Sequence, residues 1–542
     1  MSLALPAIVI ETGGSIARWR RALSAWIDAV DDCWTVSLLI VGFVAAWMAY
    51  FSIAYVGGDL HQDVIETWSL GRSFDWGSTK HPPLMSWVAR AWTAVFPLTN
   101  WSFNLLALVN AAIGLWAVDL ITRRFARGDK RLIVLLLLML PPIYQLHAQR
   151  FNANAVLLST WPLATWCFLR SFETRHAGWA VAAGVTAAFA MLGKYYSIFL
   201  IGSFAVAALC HRERRAYFGS AAPWIASLAG LVVLAPHLIW LAETGAQPFS
   251  HAIEHHVGKT HAAALVEAAG FVLAMAGIVG IPGLIWLAMT RPRPARVLND
   301  ALSLGSGLRL IAMISFGTVL FPALVSATFG TDMPPLWGLQ GVFLFVIVIV
   351  CGASYQAPRD HTINLAAITL AIAALAVTVV APLHALYRIY VPLNEGRNFY
   401  APAVAELDRL WRTASDQPLA IVGGDDGLAF AAAFYSPDHP LYEMSLVHPY
   451  ELRLPDAALN PQGWAALCYD TDVSCIAGMT AAAARAKGSV RVGFTLRTKL
   501  FGWHGASQGF VALIVPPAIT PSKERPATPE DVSARSRLPE TD

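Results

Sequence analysis

The chain is short of charge. Of its 542 residues, 38 are Lys or Arg and 35 are Asp or Glu, 13% together. A soluble globular protein carries roughly a quarter. That scarcity, beside a hydrophobic content of 56%, excludes an ordinary solvated globule and points to a polytopic membrane protein. The formal net charge of +3 gives no reason to expect a nucleic-acid partner. The six cysteines are scattered and make no disulfide framework. No Cys/His spacing of a metal site stands out, so no metal ligand is assigned. Strict two-residue alternation is also lacking in the apolar runs, which excludes a membrane barrel. No cleavable leader is expected: the first residues are weakly apolar, and "RWRR" at 18–21 precedes a full-length apolar stretch.

What is present is a series of long apolar runs. About 20 such residues cross a hydrocarbon core. They occur near 35–54, 101–121, 132–147, 152–169, 177–192, 195–210, 221–241, 263–289, 308–328, 336–353 and 363–383, which predicts about eleven helical spans. Lys and Arg orient them, because cytoplasmic loops hold the excess. With the N-terminus (1–34) inside, eighteen cations fall inside before residue 384: Arg18, Arg20 and Arg21, five in "RRFARGDKR" (123–131), Arg170, Arg175, three in "HRERR" (211–215), three in "RPRPAR" (291–296), Arg309 and Arg359. Outside fall six: Arg72, Lys80, Arg90, Arg150, Lys194 and Lys259.

Beyond 384 the pattern changes. "QPLAIVGGDDGLAFAAAFYSP" reads as strand, glycine turn and helix, and "GSVRVGFTLRTKL" and "QGFVALIVPP" alternate as strands do. The expected plan is a mainly α membrane bundle over 35–385, with a first periplasmic loop at 55–100, and a periplasmic α/β domain over 386–516. Cys468 and Cys475 lie in that domain. They pair in an oxidising compartment or stay as two buried thiols. The Pro-rich, charged tail 517–542 is expected to be disordered.

The first outer loop departs from the general poverty of charge. "GGDLHQDVIETWSLG" (57–71) is followed by "KHPPL" (80–84). Asp59 stands three residues before Gln62, a capping-box spacing, and starts a helix to about Leu70. Asp59, Asp63 and Glu66 then share one face and Leu60, Val64 and Trp68 another, as in a helix lying flat at the interface with its apolar side in lipid. "LMSWVARAWTAVF" (84–96) is a second short interfacial helix. Two readings stand at this point: Asp59 is an N-cap and the other acids a solvated face, or the acids face a site with Lys80 and His81.

The same elements resemble the first outer loop of family 39 glycosyltransferases, of GT-C type, which include protein mannosyltransferases and lipid A aminoarabinose and galacturonosyl transferases. Members carry an acid soon after span one and a "HPPL"-like element before span two. The resemblance covers roughly 35–385. It implies a GT-C bundle and a polyprenyl-phosphate sugar as donor, with a lipid or surface-glycan acceptor and membrane lipids around it. The chain departs from the pattern twice. Asp59 is followed by Leu60 where many members have Asp-Glu, and "RFNANAVLL" has Asn154 where a further Asp is common. Asn cannot act as a base.

The chemistry so implied is attack of an acceptor oxygen on the anomeric carbon with inversion. Polyprenyl phosphate leaves as a dianion, so the leaving group needs cations, while one carboxylate takes or orients the acceptor proton. By motif position Asp59 is the candidate base, with Asp63 as a second catalytic carboxylate and Glu66 its companion on the substrate side. Lys80 is the candidate phosphate partner, with His81 either a second donor or a histidine at a Pro-Pro turn. Arg150 either binds phosphate or snorkels. Lys194, in "GKYYS", interrupts an apolar run and matches a family element. No cofactor is assigned. A divalent metal is kept as an alternative, since some GT-C enzymes use one and "HAIEHHVGKTH" (251–261) gathers four histidines with Glu254. The 20 tryptophans are read mainly as interfacial belts. The expected place is the bacterial inner membrane with the site outside. The rival readings are a lipid or glycan transporter, for which no internal repeat is seen, and a non-catalytic relative that binds glycan.

Overall fold

The computed structural model describes residues 12–32, 34–78, 80–140, 150–246, 248–249, 260–391, 398–443, 461–484, 486 and 488–517. The chain forms two compact units: Met1–Val56 with Leu70–Ala385, and Gly57–Ser69 with Leu386–Asp542. The acidic stretch of the first outer loop therefore groups with the C-terminal residues, and "KHPPL" with the bundle. The histidine-rich loop, up to residue 259, and the tail from 518 lie outside the described residues.

The first unit is helical because a chain in lipid must satisfy its own backbone. Its helices are α1 (Thr12–Asp28), α2 (Trp34–Ala54), α3 (Gln62–Gly71, only its C-terminal end belonging here), α4 (Leu84–Thr93), α5 (Asn100–Thr122), α6 (Asp129–Met139), α7 (Leu157–Thr174), α8 (Ala177–Gly193), α9 (Ile198–Cys210), α10 (Ala222–Glu243), α11 (His261–Thr290), α12 (Ser306–Phe329), α13 (Val342–Gly352) and α14 (Arg359–Leu375). All eleven expected spans fall on helix, and α4 lies where the second short helix was expected. Seven described helices are long and apolar enough to cross a membrane, α14 being one through its continuation to Tyr390. The fourth run differs from expectation at its start: residues 152–156 form a turn and the helix begins at Leu157. Small residues bring helices close. A Cβ at Gly114 would stand 2.1 Å from the Leu158 carbonyl oxygen, and one at Gly184 2.1 Å from that of Ala226.

One end of this bundle is tied by ions. Arg131 is buried against Asp119, with Nε–Oδ1 2.5 Å and Nη2–Oδ2 2.8 Å, and it donates to the Val30 carbonyl at 2.8 Å. Arg359 bridges Asp28 and Asp129. Arg124 pairs with Glu173, and Lys130 donates to the Ala353 carbonyl. Nε2 of His211 meets the Ser306 hydroxyl at 3.0 Å. The loops that hold most of the arginines thus meet at one end, while Trp34, Trp101 and Trp224 are exposed near helix starts, as interfacial tryptophans are.

The second unit is an α/β layer. Its elements are α15 (Tyr400–Ala414), β1 (Ile421–Gly424), α16 (Asp426–Tyr435), β2 (Leu441–Tyr442), β3 (Trp464–Tyr469), α17 (Val473–Ala483), β4 (Val490–Leu500) and β5 (Trp503–Val515). The sheet order is β2-β1-β3-β5-β4, with β1 parallel to β2 and β3 and the last two strands antiparallel. The expected strand, glycine turn and helix are present: Gly424 takes φ +115°, and the Asp425 carboxylate caps α16 by accepting from the Leu428 N–H at 3.1 Å. Burial raises the Asp425 pKa most, helped by the charges of Asp426 and Asp472. Cys468 and Cys475 form a disulfide in the core between β3 and α17.

Candidate active site

The acid loop begins with a turn only glycine makes easily. Gly57 has φ +64°, and a Cβ at Gly58 would lie 2.1 Å from the buried Arg388 guanidinium. Asp59 follows, buried, and its Oδ2 accepts the Ala401 N–H at 3.2 Å. Asp59 is therefore not the cap of its own helix. It sits on the first turn of α15, where the helix dipole favours a carboxylate. The α3 helix starts at Gln62, and His61 takes the capping place: its Nδ1 accepts the Asp63 N–H at 3.1 Å, and its carbonyl accepts from Val64 at 3.0 Å. Histidine is not a usual cap, so the acid three residues before Gln62 drew the expectation to the wrong position.

The two-faced interfacial helix is corrected as well. Leu60, Val64 and Ile65 are buried in protein, the Leu60 N–H donates to the Tyr435 hydroxyl at 2.9 Å, and Trp68 meets Phe434 edge-on at 5.5 Å. Residues 57–69 thus pack on α16 and not on lipid. Nor do the acids share one exposed face: Glu66 is buried, and Asp63 is part-exposed, with Oδ1 3.5 Å from His61 Nδ1. That nitrogen already accepts the Asp63 N–H, so it offers the carboxylate no proton while the ring is neutral. Asp59 does act on its surroundings. Burial, then the charges of Asp425 and Asp59, push the Tyr469 phenol pKa up.

The cationic residues belong to the first unit. Lys194 lies where the helix breaks, with φ −162° and ψ 137° between α8 and the short turn Tyr195–Ser197. Its Nζ donates to Asn154 Oδ1 at 2.6 Å and lies 3.8 Å from the centre of the Trp337 ring. Asn154 is held in turn: Asn152 Oδ1 accepts the N–H groups of Asn154 and Ala155 at 3.0 and 2.9 Å, and Asn110 donates to the Ala155 carbonyl at 2.6 Å. The turn that displaces the start of α7 therefore exists to present residue 154.

The "KHPPL" element arrives at the same place. A Cβ at Gly193 would stand 2.9 Å from Val156, 3.0 Å from Leu157 and 3.8 Å from Leu84. Only glycine lets these three segments meet directly before Lys194. The loop leading in is tied by Ser78, whose N–H and hydroxyl donate to the His81 carbonyl at 3.0 and 3.1 Å, while its hydroxyl accepts the His81 N–H at 3.0 Å. Lys80 and His81 are both half-buried on this turn, and Arg150 is half-buried at the entry to the 152–156 turn. A further link runs through His237 of α10. Its Nδ1 is 2.6 Å from the Trp76 carbonyl oxygen and its Nε2 3.0 Å from the Tyr195 hydroxyl. A carbonyl only accepts, so the proton sits on Nδ1 and Nε2 accepts from the phenol. The outer loop is thereby fastened to the neighbour of Lys194. Of the other outer cations, Arg90 donates to the Arg72 carbonyl at 2.6 Å, a structural role, and Lys259 lies outside the described residues.

Three residues of this arrangement were not singled out from the sequence: Trp337, His237 and Arg388. Trp337 and His237 sit in apolar runs and carry no motif. Arg388 stands past the last expected span, where it reads as a boundary cation. Among the described residues no three His, Cys, Asp or Glu side chains are gathered to hold a metal ion.

Comparison with known proteins bears on this geometry. The family described as Dolichyl-phosphate-mannose-protein mannosyltransferase matches residues 80–240, a span that opens at Lys80 and includes Arg150, Asn154, Lys194 and His237. Among solved structures, ArnT from Cupriavidus metallidurans bound to undecaprenyl phosphate aligns with a TM-score of 0.55 at 15% identity, over 88% of this chain and 97% of that one. The chain has a GT-C fold. The apo form of ArnT gives a TM-score of 0.55 at 13% identity, over 88% and 98%. The archaeal oligosaccharyltransferase AglB from Archaeoglobus fulgidus, in complex with an inhibitory peptide and a dolichol-phosphate, is more distant: TM-score 0.35 and 10% identity, over 87% and 74%. No curated protein matches the sequence. The GT-C resemblance read from the first outer loop holds, and the chain is an integral membrane protein.

Proposed function

We propose that this GT-C protein transfers a sugar from a polyprenyl-phosphate donor to a lipid or surface-glycan acceptor on the periplasmic face of the bacterial inner membrane. The observation that carries the reading is the Lys194 ammonium, presented at a helix break on a neutral amide and an aromatic face. Asn154 and Trp337 hold the cation without cancelling its charge, as a binder of a phosphate dianion requires. The match over 80–240 and the GT-C fold support the reaction class. The arginine-rich end of the bundle supports the orientation, because such loops stay cytoplasmic, and the Cys468–Cys475 disulfide supports an oxidising location for the second unit.

In this mechanism the acceptor oxygen forms a bond to the anomeric carbon while the bond from that carbon to the phosphate oxygen breaks. The electron pair leaves on polyprenyl phosphate, and the configuration inverts. Lys194 and Lys80 stabilise the growing charge, with His81 and Arg150 as further phosphate donors. The acceptor proton goes to a carboxylate of the acid loop, Asp59 first and Asp63 second, and Glu66 orients the acceptor. No step runs through a metal. The test is mass spectrometry of envelope glycolipids from cells with the gene, without it, and with Lys194→Met in its place. A glycolipid that loses its sugar both without the gene and in Lys194→Met cells is the expected result. Identical glycolipids with and without the gene would end the proposal. A transporter instead predicts normal sugar attachment and a substrate stranded on the wrong face.

A further inference from the structure

The arginine-rich end of the first unit holds a feature the sugar-transfer reading does not use. There α1, α2, α6 and α14 enclose an apolar cavity of about 360 Å³, within the roughly 300–1,000 Å³ of small-ligand sites. It follows α2 from Leu38 to Trp47, roughly 14 Å at the helical rise, so its shape suits a chain. Leu23, Met139 and Leu370 are among its walls. Gly42 opens onto free space, since a Cβ there would meet no atom within 4 Å. The cavity is remote from Lys194: α8 starts two residues after Arg175 and runs 17 residues before it reaches Lys194, roughly 25 Å.

Two observations say what fills it. Trp26 lines the cavity, and its Nε1–H is buried without a hydrogen-bond partner among the described residues. A donor so placed calls for an acceptor. Arg18, Arg20 and Arg21 lie one to two turns earlier on the same helix, with Arg20 at 3.1 Å from the exposed Asp360. The nearest acids of the following segment are turned to other cations, Asp28 to Arg359 and Asp31 to Arg131. An amphipathic helix with arginines beside an apolar slot matches an anionic lipid.

We propose that this cavity binds one anionic glycerophospholipid of the leaflet on the arginine side. One acyl chain lies along α2 in the cavity, an ester carbonyl accepts the Trp26 Nε1–H, and the phosphate lies against Arg18, Arg20 and Arg21. The lipid fixes α1 to the bundle.

The test is native mass spectrometry of the full-length protein in detergent, titrated with phosphatidylglycerol or phosphatidylcholine. Wild type is expected to retain one phosphatidylglycerol, at least roughly tenfold in preference to phosphatidylcholine. Gly42→Phe and Ala46→Phe fill the slot and should abolish that retention. Trp26→Phe keeps the ring, removes the donor and should weaken it several-fold. The triple change Arg18→Gln, Arg20→Gln, Arg21→Gln should remove the preference for the anionic lipid. Equal retention of the two lipids by wild type would overturn the proposal, as would undiminished phosphatidylglycerol in either filled variant or in Trp26→Phe. So would one-for-one displacement by undecaprenyl phosphate, which would make the cavity a polyprenyl site.

Discussion

Lys194→Met is the sharpest perturbation of the proposed site, because it keeps the apolar stem and removes only the ammonium. Two contacts are lost in the free protein: the 3.8 Å approach to the Trp337 ring and the 2.6 Å bond to Asn154. The first contributes about 0.5–2 kcal/mol. The second leaves Asn154 Oδ1 without that donor, although the amide keeps its place through the backbone bonds to Asn152. Folding should therefore survive. In the transition state the loss is larger, since the ammonium is asked to meet a phosphate that gains charge as the bond breaks. Removing one such donor costs about 2–4 kcal/mol, or about 30- to 900-fold in kcat/KM at the usual conversion. The assay is sugar transfer in membranes that hold equal amounts of each variant, read as the ratio of modified to unmodified glycolipid over time. Lys194→Arg should recover part of the rate, because the charge returns but the planar fork does not reproduce a point charge. Asn154→Asp completes the argument. It would set a carboxylate against the ammonium and compete with the donor phosphate, so transfer should fall about tenfold, the effect of roughly 1.4 kcal/mol. Wild-type transfer in Lys194→Met would refute the role of Lys194. A faster Asn154→Asp enzyme would show that a second carboxylate is missing here and would favour the weakly catalytic or non-catalytic reading.

Further outcomes follow from single contacts. Asp59→Asn keeps an acceptor for the Ala401 N–H, so melting should shift little while transfer is lost; Asp59→Ala should also cost about 1 kcal/mol of stability, and a fully active Asp59→Asn would move the search for the base to Asp63. Asp119→Ala strands the buried Arg131 guanidinium and should destabilise the bundle by about 3–5 kcal/mol, seen as a lower melting temperature in detergent; an unchanged melt would show that the pair is not sealed from water. Reducing Cys468–Cys475 opens a short loop and should cost the second unit about 2.5 kcal/mol, measured as faster proteolysis between 461 and 517; equal rates with and without reductant would contradict it.

The fold was legible where one physical rule dominates. Every long apolar run became a helix, because a lipid-facing chain has few other ways to satisfy its backbone. The alternation of 490–500 and 503–515 marked two paired strands. The local plan failed at 152–156, where an apolar window hid a turn. The deciding signals there were polar, since Asn152 caps with its side chain and Asn110 reaches in from α5. Small polar residues within an apolar average are what a hydropathy window smooths away. The disulfide stayed undecided for a different reason: spacing allows a bond, but only the placement of β3 against α17 brings the sulfurs together.

The acid loop shows why motif position and structural role separate. Helical periodicity put Asp59, Asp63 and Glu66 on one face and the apolar residues on lipid. That reasoning took the helix as a free surface element. In the folded chain residues 57–69 have a protein partner, α16, which supplies Tyr435 and Phe434 from far along the sequence, and a tertiary contact of that range leaves no local trace. Lys194 is the opposite case. A cation in an apolar run is costly wherever it is not used, so the residue was conspicuous from composition alone, and the chain breaks its helix to accommodate it. What composition did not supply is the choice of neighbours. An aspartate at 154 would have bound the ammonium more tightly than an amide does, so a site selected only for stability would favour the acid. The asparagine gives up that attraction and leaves the positive charge to act on something else. A leaving phosphate is the ligand for which that exchange makes sense.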